Sequence, residues 1–211
     1  MSDVIIYGAP QSTYVRTARM ACEEKGVPYQ LEPIEFGSPA HLELHPFAKM
    51  PAMRHGEVHL FETIAICRYI DTNFDGPSLQ PSHSGQLGIM DQWISAIDCY
   101  MYDTLVRKYV LQYVFAKGPD GQPDRSVIDE ALPEVERQIG LIDAALEGKT
   151  YLAGDQLSLA DLFVAPIMFY LGNFPESGEI LAKSANVQRA GAAMKERPSF
   201  INTMPPPPPG S

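Results

Sequence analysis

Basic residues are scarce: 16 lysines and arginines stand against 26 aspartates and glutamates, for a formal net charge of −10. A chain that acidic has no broad basic face to neutralise phosphates, which excludes general nucleic-acid binding. A small anionic substrate held by a local cluster of donors remains compatible with it. Cysteine is scarce too. Cys22, Cys67 and Cys99 are odd in number, and no CxxC or Cys/His spacing is present, which excludes a paired disulfide framework and a zinc site. Each lies among apolar residues at a helical spacing, so all three are expected as buried thiols in a reducing cytosol. No apolar run reaches the roughly 18 residues that a membrane-spanning helix needs. The opening Met-Ser-Asp-Val-Ile-Ile-Tyr has no basic stretch and no cleavage site, so no signal peptide is predicted and the expected location is the cytoplasm. There is no internal repeat.

What is present is an ordinary globular composition: 211 residues, 45% apolar and 20% charged, enough for one large domain or two small ones. Val4 to Tyr7 is a continuous apolar run stopped by Gly8 and Pro10, which predicts a buried strand ending in a turn. A helical pattern over 13–25 ends at Gly26 and Pro28, and Tyr29 to Ile34 suits a second strand, so the first 34 residues predict a βαβ unit. A hairpin over 52–60, turning at His55-Gly56-Glu57, and a helix over 63–73 complete a small α/β domain over 1–75. The Gly-, Pro- and Ser-rich stretch 76–83 predicts a linker. Beyond it every pattern is helical, through 84–204. Leu87, Met90, Ile94, Ile97, Met101 and Leu105 step by three and four, and Ile128, Leu132, Val135, Ile139, Ile142 and Leu146 do the same. Further helices are expected from Ser158 and over 184–197. The five-proline run ending in Gly-Ser, 205–211, predicts an exposed extended tail.

Four local features carry chemistry, and each has an ordinary structural reading. Ser12 and Thr13 fall where the first helix starts, the usual place for a capping hydroxyl, but also for a donor to an anion at the positive helix end. Lys49-Met50-Pro51 enters the hairpin, where a proline is a common edge device. Glu62-Thr63 opens the third helix, as a cap would. Ser158 to Asp161, preceded by Leu157, is a capping box with a staple residue and serves folding.

In joint order and spacing these stretches resemble the glutathione transferase family. The match runs from Val4 to about Phe200. It is carried by Tyr7-Gly8 with Ser12-Thr13, by His45 to Ala52, by Leu60 to Ile66, and by Tyr151 to Asp155 running into Ser158 to Asp161. The spacing from the first strand to Ser12 is most similar to the serine-type classes, above all the plant phi class. The resemblance implies a thioredoxin-like N-terminal domain followed by an all-α domain that holds the second substrate. It implies a cis proline at Pro51, which aims the Met50 backbone at the cysteinyl part of glutathione as an added strand would. It gives Thr63 the γ-glutamyl carboxylate, Glu62 the α-ammonium, and Lys49 the glycyl end.

The implied reaction is attack by the glutathione thiolate on an electrophilic, mostly apolar small molecule. A free thiol titrates near 8.5, so only a few per cent is ionised at pH 7. Ser12 is the residue expected to donate a hydrogen bond to the thiolate. Tyr7 is the alternative, since other classes use a tyrosine at the end of the first strand, but an apolar strand predicts a buried side chain there. Cys22 lies too far into the helix to replace Ser12. Three positions depart from the family pattern. Ile64 stands where relatives often have Arg or Asn, and His45 replaces the commoner Asn before Pro-Phe. The stretch from Phe36 to His45 is shorter, leaving His41 as a guess for the glycyl contact.

Met101, Tyr102, Leu105, Tyr109, Tyr113 and Phe115 are candidates for the second-substrate pocket, with helix core as their ordinary reading. The resemblance implies a homodimer, glutathione as cosubstrate, and neither metal nor organic cofactor. A glutathione- or apolar-ligand-binding protein without turnover on the same fold is the alternative. A structural module with no glutathione site is the other, and the presence of Ser12, Pro51, Glu62 and Thr63 argues against it.

Overall fold

The computed structural model describes residues 3–206. Among these, contacts divide the chain into a first unit, 3–80 with 195–206, and a second, Pro81–Met194.

In the first unit, Val4–Tyr7 forms strand β1, with Val4, Ile6 and Tyr7 buried. Gly8 ends it at a positive φ of 152°, where an added Cβ would meet the Val15 side chain at 2.4 Å. Helix α1, Thr13–Lys25, starts on Ser12 and stops at Gly26, whose φ of 66° is the left-handed conformation glycine adopts cheaply. β2, Tyr29–Glu32, runs parallel to β1 with Val4 opposite Tyr29, so the expected βαβ unit is present. A short helix, α2 (Pro39–Leu44), leads to the antiparallel pair β3 (Ala52–His55) and β4 (Val58–Phe61), which turns at Gly56 with φ 60°. β3 also pairs antiparallel with β1, giving the order β2-β1-β3-β4. Helix α3, Thr63–Asn73, follows, and α1 and α3 pack on each other and against strands of the sheet. Ile6, Val15, Met20, Met53, Ile66 and Ile70 are sealed between them. This is the thioredoxin-like arrangement.

Two findings alter the sequence-based boundaries. Part of the expected linker is fastened to the first unit. Lys25 and Asp71 form a buried ion pair at 3.2 Å, and Asp71 also accepts from the Leu79 backbone and the Gln80 side chain, at 2.8 and 2.9 Å. The helix α10, Pro198–Asn202, belongs to the first unit by its contacts with α1, not to the helical body expected over 84–204. Of the expected tail, 207–211 lies outside the described residues, and Pro205 and Pro206 belong to no helix or strand.

The second unit is helical, and among its described residues the only β feature is one bridge between Tyr151 and Gly154. Helix α4, Ser84–Ala96, continues through a π-helical stretch, Ile97–Val110, into the last turn α5, Leu111–Val114. The apolar stripe expected here is buried except at Leu87, which is half-buried. Cys99 is a correction: it is exposed, on the side away from Ile97, Met101 and Leu105, whereas Cys22 and Cys67 are buried. Helices α6 (Arg125–Ala145), α7 (Leu159–Leu171), α8 (Pro175–Lys183) and α9 (Ala185–Lys195) complete the helical order.

The start of α7 is a buried, well-satisfied polar cluster. Asp161, in the capping box, accepts from the Leu152 N–H, the Ser158 N–H and the Ser158 hydroxyl, each at 2.8 Å. Burial pushes its carboxyl up to about 6 against these bonds. Asp161→Asn keeps the shape but turns an amide donor towards groups that are themselves donors. The expected cost is about 2 kcal/mol, because a buried donor loses its acceptor. A chemical-denaturation midpoint unchanged in the variant would refute this.

Candidate functional site

The residues singled out in the first unit lie on three loops, each placed by an element end. The first is the turn after β1. Ser12 is half-buried, and its Oγ accepts from the Val15 N–H at a long 3.4 Å. A hydroxyl that accepts keeps its own proton to donate. The oxygen also stands at the N-terminus of a 13-residue helix, where the dipole favours negative charge. Tyr7, the last residue of β1 and five positions before Ser12, is a core residue at 9% exposure, held between β2 and β3 partners. Burial pushes the Cys22 thiol up to about 12, so it is inert at neutral pH.

The second loop carries Lys49, Met50 and Pro51. The Met50–Pro51 peptide is cis. Met50 touches the first loop directly: the Ala9 N–H points to its Sδ at 3.4 Å, and its Cβ lies within van der Waals reach of the Gly8 position. Ser12's turn and the Met50 backbone are therefore neighbours.

His41 fixes this second loop. Its Nδ1 accepts from the Gly37 N–H at 3.0 Å, so the ring proton sits on Nε2 and is donated to the Lys49 carbonyl at 2.8 Å. At 2% exposure with both nitrogens engaged, His41 is unavailable for the glycyl contact guessed for it. The sequence hid this role because Gly37 and Lys49 become its neighbours only through the α2 turn.

The third loop is the entry to α3. Glu62 has φ 71°, the left-handed region rarely used by a residue with a side chain, and such outliers cluster at functional positions. Its carboxylate is exposed and makes no capping bond to the first-turn N–H groups of α3. Thr63 is buried at 7% exposure. His45 lies behind Glu62, with Nε2 4.0 Å from Oε1.

In the second unit the candidates separate. Met101, Leu105 and Tyr109 are buried in the helical core. Tyr109 gives its proton to Glu176 at 2.9 Å and accepts from the Ser177 N–H at 3.0 Å, which makes it a framework residue. Tyr113 donates to the same carboxylate at 2.6 Å and stacks on Phe174 at 4.4 Å. Burial would raise the Glu176 carboxyl, but the bonds from Tyr113 and Arg125 outweigh it and hold it at about 2. Tyr102 is half-buried with Arg107 over its ring at 5.5 Å, and Phe115 is exposed. Among the described residues no cluster of three or more His, Cys, Asp or Glu is arranged to hold a metal, and no helix is long and apolar enough to cross a membrane.

A thioredoxin-like unit with a hydroxyl at its first helix and a cis proline on the neighbouring loop, followed in the chain by a helical unit, is the arrangement that the resemblance to the glutathione transferase family implies. Family models agree: residues 6–78 match the glutathione S-transferase N-terminal domain, and 96–190 match its C-terminal domain. Glutathione S-transferase 1 of Triticum aestivum is 33% identical over 189 residues, covering 83% of this chain and 82% of the wheat protein. Poplar glutathione transferase F1 superposes with a TM-score of 0.86 at 28% identity, covering 96% of this chain and 97% of that one. Glutathione S-transferase I from maize, solved in complex with an atrazine–glutathione conjugate, gives 0.84 at 29% identity, with 96% of each chain covered. The chain belongs to the glutathione S-transferase family. Within it, the curated relatives and the poplar structures are plant phi-class enzymes.

Proposed function

We propose that the first unit binds glutathione, that Ser12 stabilises its thiolate, and that the enzyme conjugates this thiolate to electrophilic, mostly apolar small molecules. The observation that carries the reading is the half-buried Ser12 hydroxyl at the N-terminus of α1, with its proton available and Met50 packed against the same turn. The Met50 backbone pairs with the cysteinyl segment, and His41 holds that backbone through the Lys49 carbonyl. Thr63 and the first turn of α3 take the γ-glutamyl carboxylate, and Glu62 takes the α-ammonium. Lys49 serves the glycyl end. No proton needs to leave Ser12: the thiol gives its proton to solvent, and the hydroxyl and helix dipole favour the resulting anion.

For the second substrate we retain Met101, Tyr102 and Leu105, with half-buried Tyr102 the candidate for direct contact; Tyr109 supports from the core. The protein acts in the cytoplasm as a homodimer. Supporting the dimer, Phe36 and Phe47 are 63% and 68% exposed on the first unit, and Phe47 and Phe61 are in edge contact at 6.1 Å, a cluster of aromatic surface suited to burial against a partner.

Conjugation of a generic aryl halide tests the activity. For the binding assignments, Thr63→Ala is expected to raise the Michaelis constant for glutathione several-fold, about 1 kcal/mol of ground-state binding, with a smaller effect on kcat. Unchanged glutathione affinity would leave Thr63 as a helix-start residue only.

A further inference from the structure

Two buried histidines flank the Met50 loop, and only one is fully bonded. His41 spends both nitrogens on backbone groups. His45 is equally buried, at 2% exposure, yet its Nδ1 has no hydrogen-bond partner. Its Nε2 lies 4.0 Å from Oε1 of Glu62. The ring is held in place by Phe61 at 5.0 Å and Phe47 at 6.3 Å, and the His45 backbone N–H bonds the His41 carbonyl at 2.8 Å. A buried polar atom without a partner costs free energy that an apolar residue of similar shape would avoid. With the proton on Nε2, the neutral ring points a donor at Glu62 and leaves only a lone pair unbonded.

We propose that His45 is a positioning residue for Glu62 and a proton-controlled competitor of the ligand: its neutral ring steadies the carboxylate that receives glutathione's α-ammonium, and its protonated ring takes that carboxylate for itself. The proposal rests on the reading that Glu62 holds the ammonium. A protonated ring at this separation interacts appreciably with a carboxylate even where water screens the pair. One carboxylate charge then faces two cations, so each weakens the hold on the other.

The charged and titratable groups around the ring fix the sign. Burial is the largest influence and pushes the ring below the ordinary histidine range, His41 and Lys49 act the same way, and Glu62 opposes them. At neutral pH the ring is uncharged and Glu62 is open to the ligand. As pH falls through the depressed value the ring gains a proton, and binding weakens. By linkage, bound ligand must lower the ring's own affinity for a proton by the same factor.

S-hexylglutathione is the probe, because its sulfur cannot titrate. Calorimetric dissociation constants are measured from about pH 7.5 to about pH 5, the low end of the histidine window because this ring titrates below the ordinary value. The wild type is expected to weaken by at least about threefold across it, while His45→Asn, which restores the commoner family residue, stays flat. The ring protons of His45 in the unaltered enzyme provide a second readout by NMR, with a lower titration midpoint expected in the saturated complex than in the free protein. If Glu62→Gln weakens binding at neutral pH but His45→Asn keeps the wild-type slope, or the ring titrates identically free and bound, the proposal is overturned and the Glu62 assignment stands. If Glu62→Gln binds as tightly as wild type, the Glu62 assignment falls and takes the proposal with it. Should His45→Asn fail to fold, the NMR comparison alone decides.

Discussion

Ser12→Ala is expected to lower kcat near pH 7 by about ten- to a hundredfold, the consequence of losing one hydrogen bond to a charged sulfur worth about 1.5–3 kcal/mol. Each tenfold corresponds to about one unit of thiol pKa. The variant's bound thiol should therefore titrate closer to the free value near 8.5. Its defect should shrink as pH rises, since above that value the thiol ionises without help. The fold should survive: the capping bond from the Val15 N–H is long, at 3.4 Å, and a lost cap costs only about 1 kcal/mol. Tyr7→Phe should do far less, because that ring is packed in the core of the first unit. The measurement is the pH profile of the conjugation rate for both variants. A raised midpoint in Tyr7→Phe and a normal one in Ser12→Ala would move the catalytic role to Tyr7. Normal midpoints in both would leave the backbone N–H groups of α1 as the sole source of thiolate stabilisation.

The parts of this protein that were legible in the sequence are those set by local chemistry. Thr13–Lys25 begins on a capping serine and ends on a left-handed glycine, and both signals sit in the chain itself. The hairpin turns at Gly56, whose φ of 60° calls for the residue found there. The parallel pairing of β1 and β2 follows from a strand, helix and strand too close in sequence for much else. The parts that were not legible depend on partners distant in sequence. The role of His41 needs the Gly37 N–H and the Lys49 carbonyl, brought together by a six-residue helix. Helix α8 carries Pro175 at its start and Glu176 in its first turn, but Gly178 at its centre weakens the pattern. Cys99, by contrast, is two residues from both Ile97 and Met101, about 200° round the helix from the apolar stripe, so its outward placement follows from the helical period and was legible in the sequence. In the candidate site, residue types and order were readable, whereas the left-handed backbone of Glu62 and the buried ring behind it were not.

Arg16 is the clearest case of a residue that the sequence pattern conceals, and its replacement should be the most destabilising change in the first unit. It lies on the buried side of α1 at 1% exposure, where an amphipathic pattern predicts an apolar side chain. Its partners come from the far end of the chain. Nη2 donates to the Phe200 carbonyl at 3.0 Å and points to the Met204 Sδ at 3.2 Å, Nε donates to the Thr203 hydroxyl at 3.3 Å, and the guanidinium lies 4.0 Å over the Phe200 ring. Neighbouring contacts extend the clamp: Glu24 accepts from Arg197 and from the Ser199 hydroxyl, and Arg19 donates to the carbonyls of Asn202 and Thr203. Arg16→Met keeps the aliphatic stem but removes the buried donors, leaving the Phe200 carbonyl without this bond in a site closed to water. The expected loss is about 1.5–3 kcal/mol, in the range for removing a charged group's hydrogen bonds and leaving buried acceptors unpaired. Because the charge sits in the second turn of α1, the helix that Ser12 begins, the loss should appear as easier opening of α1. Native-state hydrogen exchange of the α1 amides reads this directly. A chain ending at Lys195 removes the partners from the other side, so its effect and that of Arg16→Met should be strongly non-additive in the double variant. Additive effects on α1 opening, or exchange rates in Arg16→Met equal to wild type, would mean that α10 and α1 are held together by apolar packing and that the arginine is a passenger.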